Sequence, residues 1–203
     1  MNGAILAGGA ASRFGGYPKG LASVGGQRVV DRLAGIMEHT LGSPPILIAN
    51  DPDALTWNTG LTIVTDVLPG YGALGGIYTA VRAAPAPVVV VAWDMPFVNA
   101  ALVRLLADSL AGDVDAVLPA SDGRRGVEPL CAAYGPACGP AIRTALERGD
   151  RRAIAFHDSV RVAILPLADV APAGDPSLLF FNINTADDLA QAESRWQRVS
   201  SPS

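Results

Sequence analysis

The sequence contains a single lysine, Lys19, although fourteen arginines occur along the chain. Cysteines and aromatic residues are also scarce, and the formal net charge is −4. Two cysteines, Cys131 and Cys138, are too few for a disulfide framework, and their spacing matches no zinc pattern, so buried free thiols are expected. The acidic balance provides no basic surface for nucleic acid or an anionic membrane.

Long apolar runs are absent as well. The longest, around residues 87–93, is far too short to span a bilayer, and no basic segment precedes an apolar stretch at the N-terminus. A soluble cytoplasmic protein is therefore expected. Because its net charge is negative, it would bind anionic ligands through a few local cations and backbone N–H groups.

The hydrophobic pattern predicts alternating strands and helices. Strands are expected at residues 4–7, 45–50, 61–65, 88–92, 116–119, 129–134, 160–166 and 180–182, with a short extended stretch at 21–24. Helices are expected at 29–41, 74–84, 99–111 and 137–148, with a short helical piece at 151–157 and a loop at 168–177. Thr185 is expected to cap a final helix, with Asp188 in the capping-box position.

This alternation predicts an α/β fold, a Rossmann-like three-layer sandwich with a mostly parallel sheet and right-handed crossovers. Residues 88–92 are continuously apolar and β-branched until the last position, which is typical of a central parallel strand covered on both faces. We expect one domain over residues 1–198 and a disordered tail at 199–203.

The first predicted strand leads into a glycine-rich segment that ends at the unique lysine. It is neither a Walker loop, which requires Gly-Lys-Ser/Thr, nor a G-x-G-x-x-G dinucleotide loop. Its small residues allow backbone N–H groups to approach phosphate oxygens, and two cations can neutralise them. Lysine also acts as a compact point charge, which the planar arginine fork does not reproduce. The nucleotide-binding candidates in this part of the chain are Leu6, Ala7, Gly8, Gly9, Arg13 and Lys19.

An acidic residue, Asp94, follows the most apolar strand. Ligands of open parallel sheets bind at the carboxyl ends of the strands, and a carboxylate there suits Mg²⁺, which takes one or two carboxylates together with phosphate oxygens and water. The alternative is that Asp94 caps the turn before Pro96.

Four segments of the sequence form a recognisable set. They are the loop Leu6-Ala7-Gly8-Gly9-x-x-Ser12-Arg13-x-Gly15-x-x-x-Lys19, the Gly72-Ala73-Leu74-Gly75-Gly76 segment, the Asp94 turn, and the ending Asn182-Ile183-Asn184-Thr185. Together they resemble the molybdenum cofactor guanylyltransferases of the nucleotidyltransferase superfamily. Glu128-Pro129-Leu130 also resembles a strand of that family. The resemblance covers residues 3 to about 195.

The resemblance implies transfer of GMP from Mg²⁺-GTP to molybdopterin, with transient contacts to molybdoenzymes or other cofactor-biosynthesis proteins. It implies that Lys19, Arg13 and Asp94 are catalytic, with Asp94 holding the metal, and that Asn50 contacts the nucleotide. Asp66 would contact the nucleoside or the metal shell. Gly75, Gly76, Asn182 and Asn184 would contact the acceptor, with completion of the metal shell as the alternative for the two asparagines. For the glycines, tight helix packing remains an equal alternative, and Asn184-Thr185 can also act as a helix cap.

Several features leave the substrate open. The family's acidic residue before the loop lysine is Pro18 here, and its nucleoside-reading asparagine aligns with Ile48, two positions before Asn50. Arg124, Arg125, Arg151 and Arg152 can meet the acceptor phosphate, although charge runs are more often solvated surface. A cytidylyltransferase for the same pterin, an enzyme for sugar phosphates or phospholactate, and a non-catalytic adaptor remain alternatives.

Overall fold

The structure is a computed structural model that describes residues 1–8, 18–84, 86–123 and 126–200. Its strands are β1 (Asn2–Ala7), β2 (Ser23–Val24), β3 (Gln27–Arg28), β4 (Ile46–Ala49), β5 (Ile63–Val64), β6 (Val88–Ala92), β7 (Ala116–Pro119), β8 (Cys131–Tyr134) and β9 (Val162–Leu165). Its helices are α1 (Val29–Leu41), α2 (Gly72–Ala83), α3 (Ala100–Ser109), α4 (Cys138–Glu147), α5 (Leu167–Val170), α6 (Pro176–Leu179) and α7 (Ala186–Ser200).

Seven strands form one sheet in the order β5-β4-β1-β6-β8-β7-β9. The pairs are parallel except for β8, which runs antiparallel to both β6 and β7. The remaining strands, β2 and β3, form a separate antiparallel hairpin. The predicted mostly parallel sheet is confirmed, and β1 and β6 lie beside each other at its centre.

Two hydrophobic clusters lie on opposite faces of the sheet, because successive strand residues point in opposite directions. In β6, Val89 and Val91 belong to the cluster that includes residues of α1 and α3. Val88 and Val90 belong to the other cluster, with residues of α2 and α4. All five residues of β6 are buried. The helix–sheet–helix arrangement confirms the predicted three-layer sandwich.

Helices α1 and α7 both form where the sequence pattern predicts a helix. α1 spans the predicted residues and ends at Gly42, whose φ of 81° forms a left-handed cap. α7 begins with the predicted capping box, in which the Asp188 N–H donates to Thr185 Oγ1 and the Thr185 N–H donates to the Asp188 carboxylate. α7 continues to Ser200, two residues into the segment expected as a tail. Within the described ranges, no helix combines the length and apolar character needed to cross a membrane.

The loop expected at residues 168–177 is wrong, because α5, a 3-10 turn at Ala171–Ala173 and α6 occupy this region. The carboxylate of Asp175 accepts the Ser177 N–H, and Pro176 occupies the first helical position. This N-cap followed by proline starts a helix, whereas the sequence predicts a loop over the same residues.

The strand expected at residues 180–182 is also wrong. Phe180 ends α6, and the Phe181 N–H returns to the Leu178 carbonyl. The Asn182 side chain donates to the Phe180 carbonyl, a local bond that competes with strand pairing. Residues 151–157 form turns leading into a 3-10 turn at His157–Ser159, in place of a short helix, and the expected stretch at 21–24 begins inside a 3-10 turn at Lys19–Leu21.

Candidate active site

A cavity of about 580 Å³ opens at the carboxyl ends of β1, β4 and β6. This is the edge at which open parallel sheets bind ligands. Ten residues predicted from the sequence to bind a substrate or metal line it. They are Leu6, Ala7, Gly8, Lys19, Asn50, Asp66, Gly76, Asp94, Asn182 and Asn184. The fold therefore gathers into one cavity side chains that are up to about 180 positions apart in the sequence.

Two backbone hydrogen bonds, one before and one after its side chain, hold Asp94 in place. The preceding residue, Trp93, donates its N–H to the Leu6 carbonyl at 3.1 Å, which extends the β1–β6 pairing. The Asp94 carbonyl accepts the Ile183 N–H at 2.9 Å, which ties the segment before α7 to the end of β6. Burial raises the pKa of the Asp94 carboxyl above its ordinary value, and the Lys19 ammonium opposes part of this shift.

Lys19 is almost completely buried, with 7% of its surface exposed. Its Nζ donates to Asn184 Oδ1 at 2.7 Å and lies 3.9 Å from Asp94 Oδ2. The Lys19 ammonium thus donates a hydrogen bond to a neutral amide, and its distance from the Asp94 carboxylate is at the outer limit for an ion pair. The adjoining residue must be small, since a Cβ on Gly20 would lie 2.3 Å from the Trp93 ring.

Asn184 is positioned by the first turn of α7. Its backbone N–H donates to the Asp188 carboxylate at 2.9 Å, the same oxygen that accepts from Thr185. The cap interpretation of Asn184-Thr185 is confirmed, because the backbone N–H groups of both residues donate to Asp188. The Asn184 side chain lines the cavity and faces Lys19, and its role in binding the acceptor or a metal stays a prediction.

Asn50 and Asp66 form a reciprocal pair at the β4 and β5 side of the cavity. Asn50 Nδ2 donates to Asp66 Oδ2 at 2.6 Å, and the Asp66 N–H donates to Asn50 Oδ1 at 2.8 Å. Each side chain fixes the other, so a carboxylate and an amide are presented together to a ligand. Ile48, where the resembling family has an asparagine, also lines the cavity.

The N-terminus of α2 contributes Gly72, Ala73 and Gly76 to the cavity wall. Backbone N–H groups at a helix N-terminus favour negatively charged ligand atoms. The two candidate glycines differ: Gly76 faces the cavity, whereas Gly75 is absent from its lining, and a Cβ there would lie 3.1 Å from the Tyr71 Cβ. Close packing accounts for Gly75, and its expected contact with the acceptor has no support in the geometry.

The donor set suits a magnesium ion bound jointly by protein and phosphate. Among the described residues, no group of three or more His, Cys, Asp or Glu side chains is arranged to hold a metal. Asp94 supplies one largely buried carboxylate, and the Asn182 and Asn184 side chains share the cavity with it. Mg²⁺ needs one or two protein carboxylates with phosphate and water oxygens, so these residues fit the metal.

Some predicted residues lie outside the described ranges, namely Gly9, Arg13, Arg124 and Arg125. Of the other two arginines, Arg152 is exposed and pairs with the Asp150 carboxylate at 2.6 Å, as expected of a surface charge. Arg151 instead reaches the cavity rim: its Nη1 lies 3.3 Å from the Gly70 carbonyl, and its guanidinium lies 5.1 Å from the centre of the Tyr71 ring.

Sequence reasoning missed the residues that support the predicted ones. Thr79 donates to the Asp66 carboxylate but does not itself line the cavity. Its position four residues after Gly75 places it one helical turn further along α2, a spacing that could have drawn attention to it. Gly70, Ala92 and Leu130 also line the cavity. Leu130 belongs to the Glu128-Pro129-Leu130 segment that resembles the family, whereas Gly70 and Ala92 carry no chemical signal in the sequence.

A parallel sheet whose carboxyl edge holds a buried lysine, a carboxylate and a helix N-terminus around one cavity is typical of α/β proteins that bind nucleoside phosphates. The chain belongs to the MobA-like NTP transferase domain family, whose model matches residues 3–162. The protein is therefore an enzyme of the nucleotidyltransferase class, and the resemblance drawn from the sequence is confirmed.

Relatives match along nearly the whole chain. A molybdenum cofactor guanylyltransferase from Desulfosudis oleivorans is 32% identical over 197 residues, covering 96% of this chain and 95% of the relative. A molybdenum cofactor guanylyltransferase from Bradyrhizobium sp. is 37% identical over 204 residues, covering 94% and 91%. The crystal structure of molybdopterin-guanine dinucleotide biosynthesis protein A from Archaeoglobus fulgidus superposes with a TM-score of 0.81 at 26% identity, covering 98% of this chain and 100% of the other.

Proposed function

We propose that this enzyme transfers GMP from GTP to the terminal phosphate of molybdopterin, forming molybdopterin guanine dinucleotide and pyrophosphate. The relatives' activity supports the choice of substrates. The observation that carries the chemistry is the buried Lys19 ammonium, held 3.9 Å from Asp94 inside a cavity large enough for a nucleotide.

The reaction needs positioning and charge neutralisation more than acid–base chemistry. The terminal phosphate of the acceptor is ionised at neutral pH, so it can attack the α-phosphorus in line without a strong general base. Its oxygen forms a bond to the α-phosphorus as the bond to the leaving pyrophosphate breaks. Lys19 stabilises negative charge on the triphosphate and the leaving group, together with the N–H groups near Gly8. Arg13, which lies outside the described residues, is proposed to do the same.

The Asp94 carboxylate would hold Mg²⁺, with the Asn182 or Asn184 amide near the metal or the acceptor. A bound Mg²⁺ neutralises phosphate charge and helps to orient the triphosphate. Because Asn184 Oδ1 already accepts from Lys19, its amide N–H groups are the atoms that would donate to the acceptor phosphate. Asn50 and Asp66 are proposed to bind the nucleoside, and Gly76 allows close approach along α2.

Arg151 is proposed to bind the acceptor at the cavity rim, where it contacts Gly70 and Tyr71. A cation at this entrance would attract a phosphorylated acceptor. The cytoplasmic location and the transient contacts with molybdoenzymes or other cofactor-biosynthesis proteins remain predictions.

The decisive experiment measures pyrophosphate release by the purified chain with Mg²⁺, molybdopterin and each of the four NTPs in turn. Release with GTP alone is expected, accompanied by molybdopterin guanine dinucleotide. Preferred release with CTP would support a cytidylyltransferase, and tight GTP binding without turnover would support an adaptor; either result would overturn the proposal.

An Asp94→Asn variant separates loss of chemistry from loss of folding. The pKa of Asp94 is raised in the folded protein, so the native state binds more protons there than the unfolded state once the pH exceeds the ordinary aspartate pKa. Stability therefore falls as the pH rises and the buried carboxyl ionises. The neutral amide removes this cost. We expect no pyrophosphate release and a melting temperature at pH 7 at least equal to that of the wild type. Asp108→Asn, an exposed change on α3, should leave both unchanged.

A further inference from the structure

Thr79 makes an unusual set of contacts for a residue with no exposed surface. Its Oγ1 lies 3.1 Å from Asp66 Oδ1 and 2.9 Å from the Gly75 carbonyl, and it accepts the Val67 N–H at 3.0 Å. A hydroxyl on α2 thereby connects the helix to the segment that follows β5 and ends in the cavity.

The hydroxyl has one proton and two acceptors within reach. Hydrogen bonds to a carboxylate are stronger than hydrogen bonds to a neutral carbonyl. The Thr79 hydroxyl therefore donates its hydrogen bond mainly to Asp66. The Val67 N–H occupies a lone pair of the same hydroxyl and restricts its rotation. Thr79 thus holds Asp66 Oδ1 while Asn50 holds Asp66 Oδ2.

We propose that Thr79 is the positioning residue of Asp66 and prepares its carboxylate to accept two neighbouring hydrogen-bond donors of the bound nucleoside. A carboxylate has about four lone-pair sites, of which Thr79 and Asn50 use one on each oxygen. The remaining site on each oxygen serves the ligand. Two parts of a guanosine nucleotide offer such donor pairs, the ribose diol and the N1–H and N2–H₂ edge of guanine. This inference rests on the proposed use of GTP.

The test compares nucleotide binding by the wild-type chain and by Thr79→Val, which keeps the side-chain shape and removes the hydroxyl. Dissociation constants are measured by calorimetry with Mg²⁺ for GTP, 2′-deoxy-GTP, 3′-deoxy-GTP and ITP, which lacks the N2 amino group. We expect Thr79→Val to weaken GTP binding about tenfold, the scale of one hydrogen bond to a charged group.

The analogue that lacks the donor bound by Asp66 should lose much less affinity on the same substitution. A smaller loss for either deoxy nucleotide identifies the ribose, and a smaller loss for ITP identifies the base. With GTP, KM should rise while kcat at saturation changes less than about threefold, because Asp66 contacts the nucleoside and not the reacting phosphates.

Three variants exclude a purely structural effect. Thr79→Ser restores the hydroxyl and should restore GTP affinity. Thr144→Val removes the same type of hydroxyl bond, to the Pro140 carbonyl one turn earlier, from the exposed face of α4, and should leave binding unchanged. In an Asp66→Asn background, Thr79→Val should have little further effect on affinity. Thr79→Ala replaces the valine variant if that chain does not fold.

Equal loss of affinity for all four nucleotides, or no loss for GTP, would overturn the positioning role. These outcomes are separate from the proposed function, which is decided by whether the wild-type chain transfers GMP to molybdopterin. A chain that transfers GMP but binds GTP normally without the Thr79 hydroxyl would contradict only this inference.

Discussion

Lys19 illustrates how a single side chain depends on its immediate surroundings. The residue is buried against Asn184, and Gly20 beside it leaves room for the Trp93 ring. A lysine alone would indicate little, because one buried cation can serve many purposes. The position after a glycine-rich segment predicted phosphate chemistry, but the amide partner from the opposite end of the chain could not be predicted from local sequence.

Replacing Lys19 tests whether a point charge is required. Lys19→Ala should lower kcat for pyrophosphate release by about 10²–10³, the scale for losing one preorganised electrostatic contact. Lys19→Arg should also lower kcat substantially, because a planar guanidinium does not fit where a compact ammonium lies 2.7 Å from Asn184. Turnover by Lys19→Arg close to that of the wild type would show that the site needs only a positive charge.

The exposed pair Arg143–Glu147 provides the matched control for this exchange. Its charged atoms lie 2.8 Å apart on the surface of α4, where more than half of each side chain is exposed. Arg143→Lys makes the reverse replacement at an exposed position, where either cation can be solvated. The kcat of this variant should remain unchanged.

At the scale of elements, the strongly patterned segments were predicted well and the short ones were not. The sequence ranges of α1 and β6 agree with the structure because long apolar periodicity and β-branched runs are governed by burial. The region of α5 and α6 was misread because a four-residue helix has too little periodicity to detect. Its Asp175-Pro176 start is compatible with either a turn or a helix until the following residues are packed.

The first turn of α7 couples a helix cap to the candidate active site. Asp188→Ala should destabilise the protein by about 1 kcal/mol, because it removes the capping carboxylate. It should also lower kcat, since the Asn184 N–H loses the carboxylate that positions it beside Lys19. Denaturant unfolding and pyrophosphate release measure the two effects on the same samples.

Asp187→Ala is the matched control, because it removes the neighbouring acidic residue of the same turn. Its effect on kcat should be small. If Asp188→Ala lost stability but kept full kcat, the cap would be purely structural and Asn184 would have to be positioned by other contacts.

At the scale of the whole molecule, the site forms only when both ends of the chain meet the centre of the sheet. The bond between Lys19 and Asn184 joins residues 165 positions apart, and the Ile183 N–H reaches the Asp94 carbonyl. The chemical types present at the site were therefore predictable from motifs in their order along the chain. Their pairing was not, because Asn50 with Asp66, Thr79 with Asp66, and Asn184 with Lys19 are long-range contacts fixed by packing.

A pH-dependent loss of stability should originate away from the site, at His157. This residue packs edge-on against Phe156, which lies in the cluster on the α2 and α4 face, and within the described part of the chain its buried Nε2 has no hydrogen-bond partner. Burial lowers the pKa of His157 below its ordinary value of 6.5. The native state consequently binds fewer protons there than the unfolded state, so stability falls as the pH drops below about 6.5 and is fully regained above it.

A His157→Gln variant isolates this contribution, because glutamine does not titrate. Carrying His39→Gln in both proteins removes the only other histidine of the chain, so the difference between them reports His157 alone. Urea unfolding between pH 5 and 8 should show that the protein with His157 loses stability relative to the variant as the pH falls through 6.5, with a constant difference above pH 7.5. The stability difference between the two proteins could instead stay constant over the whole range or change in the opposite direction. Either result would mean that protonated His157 has a hydrogen-bond partner in the folded protein, and that its Nε2 is not buried without a partner in solution.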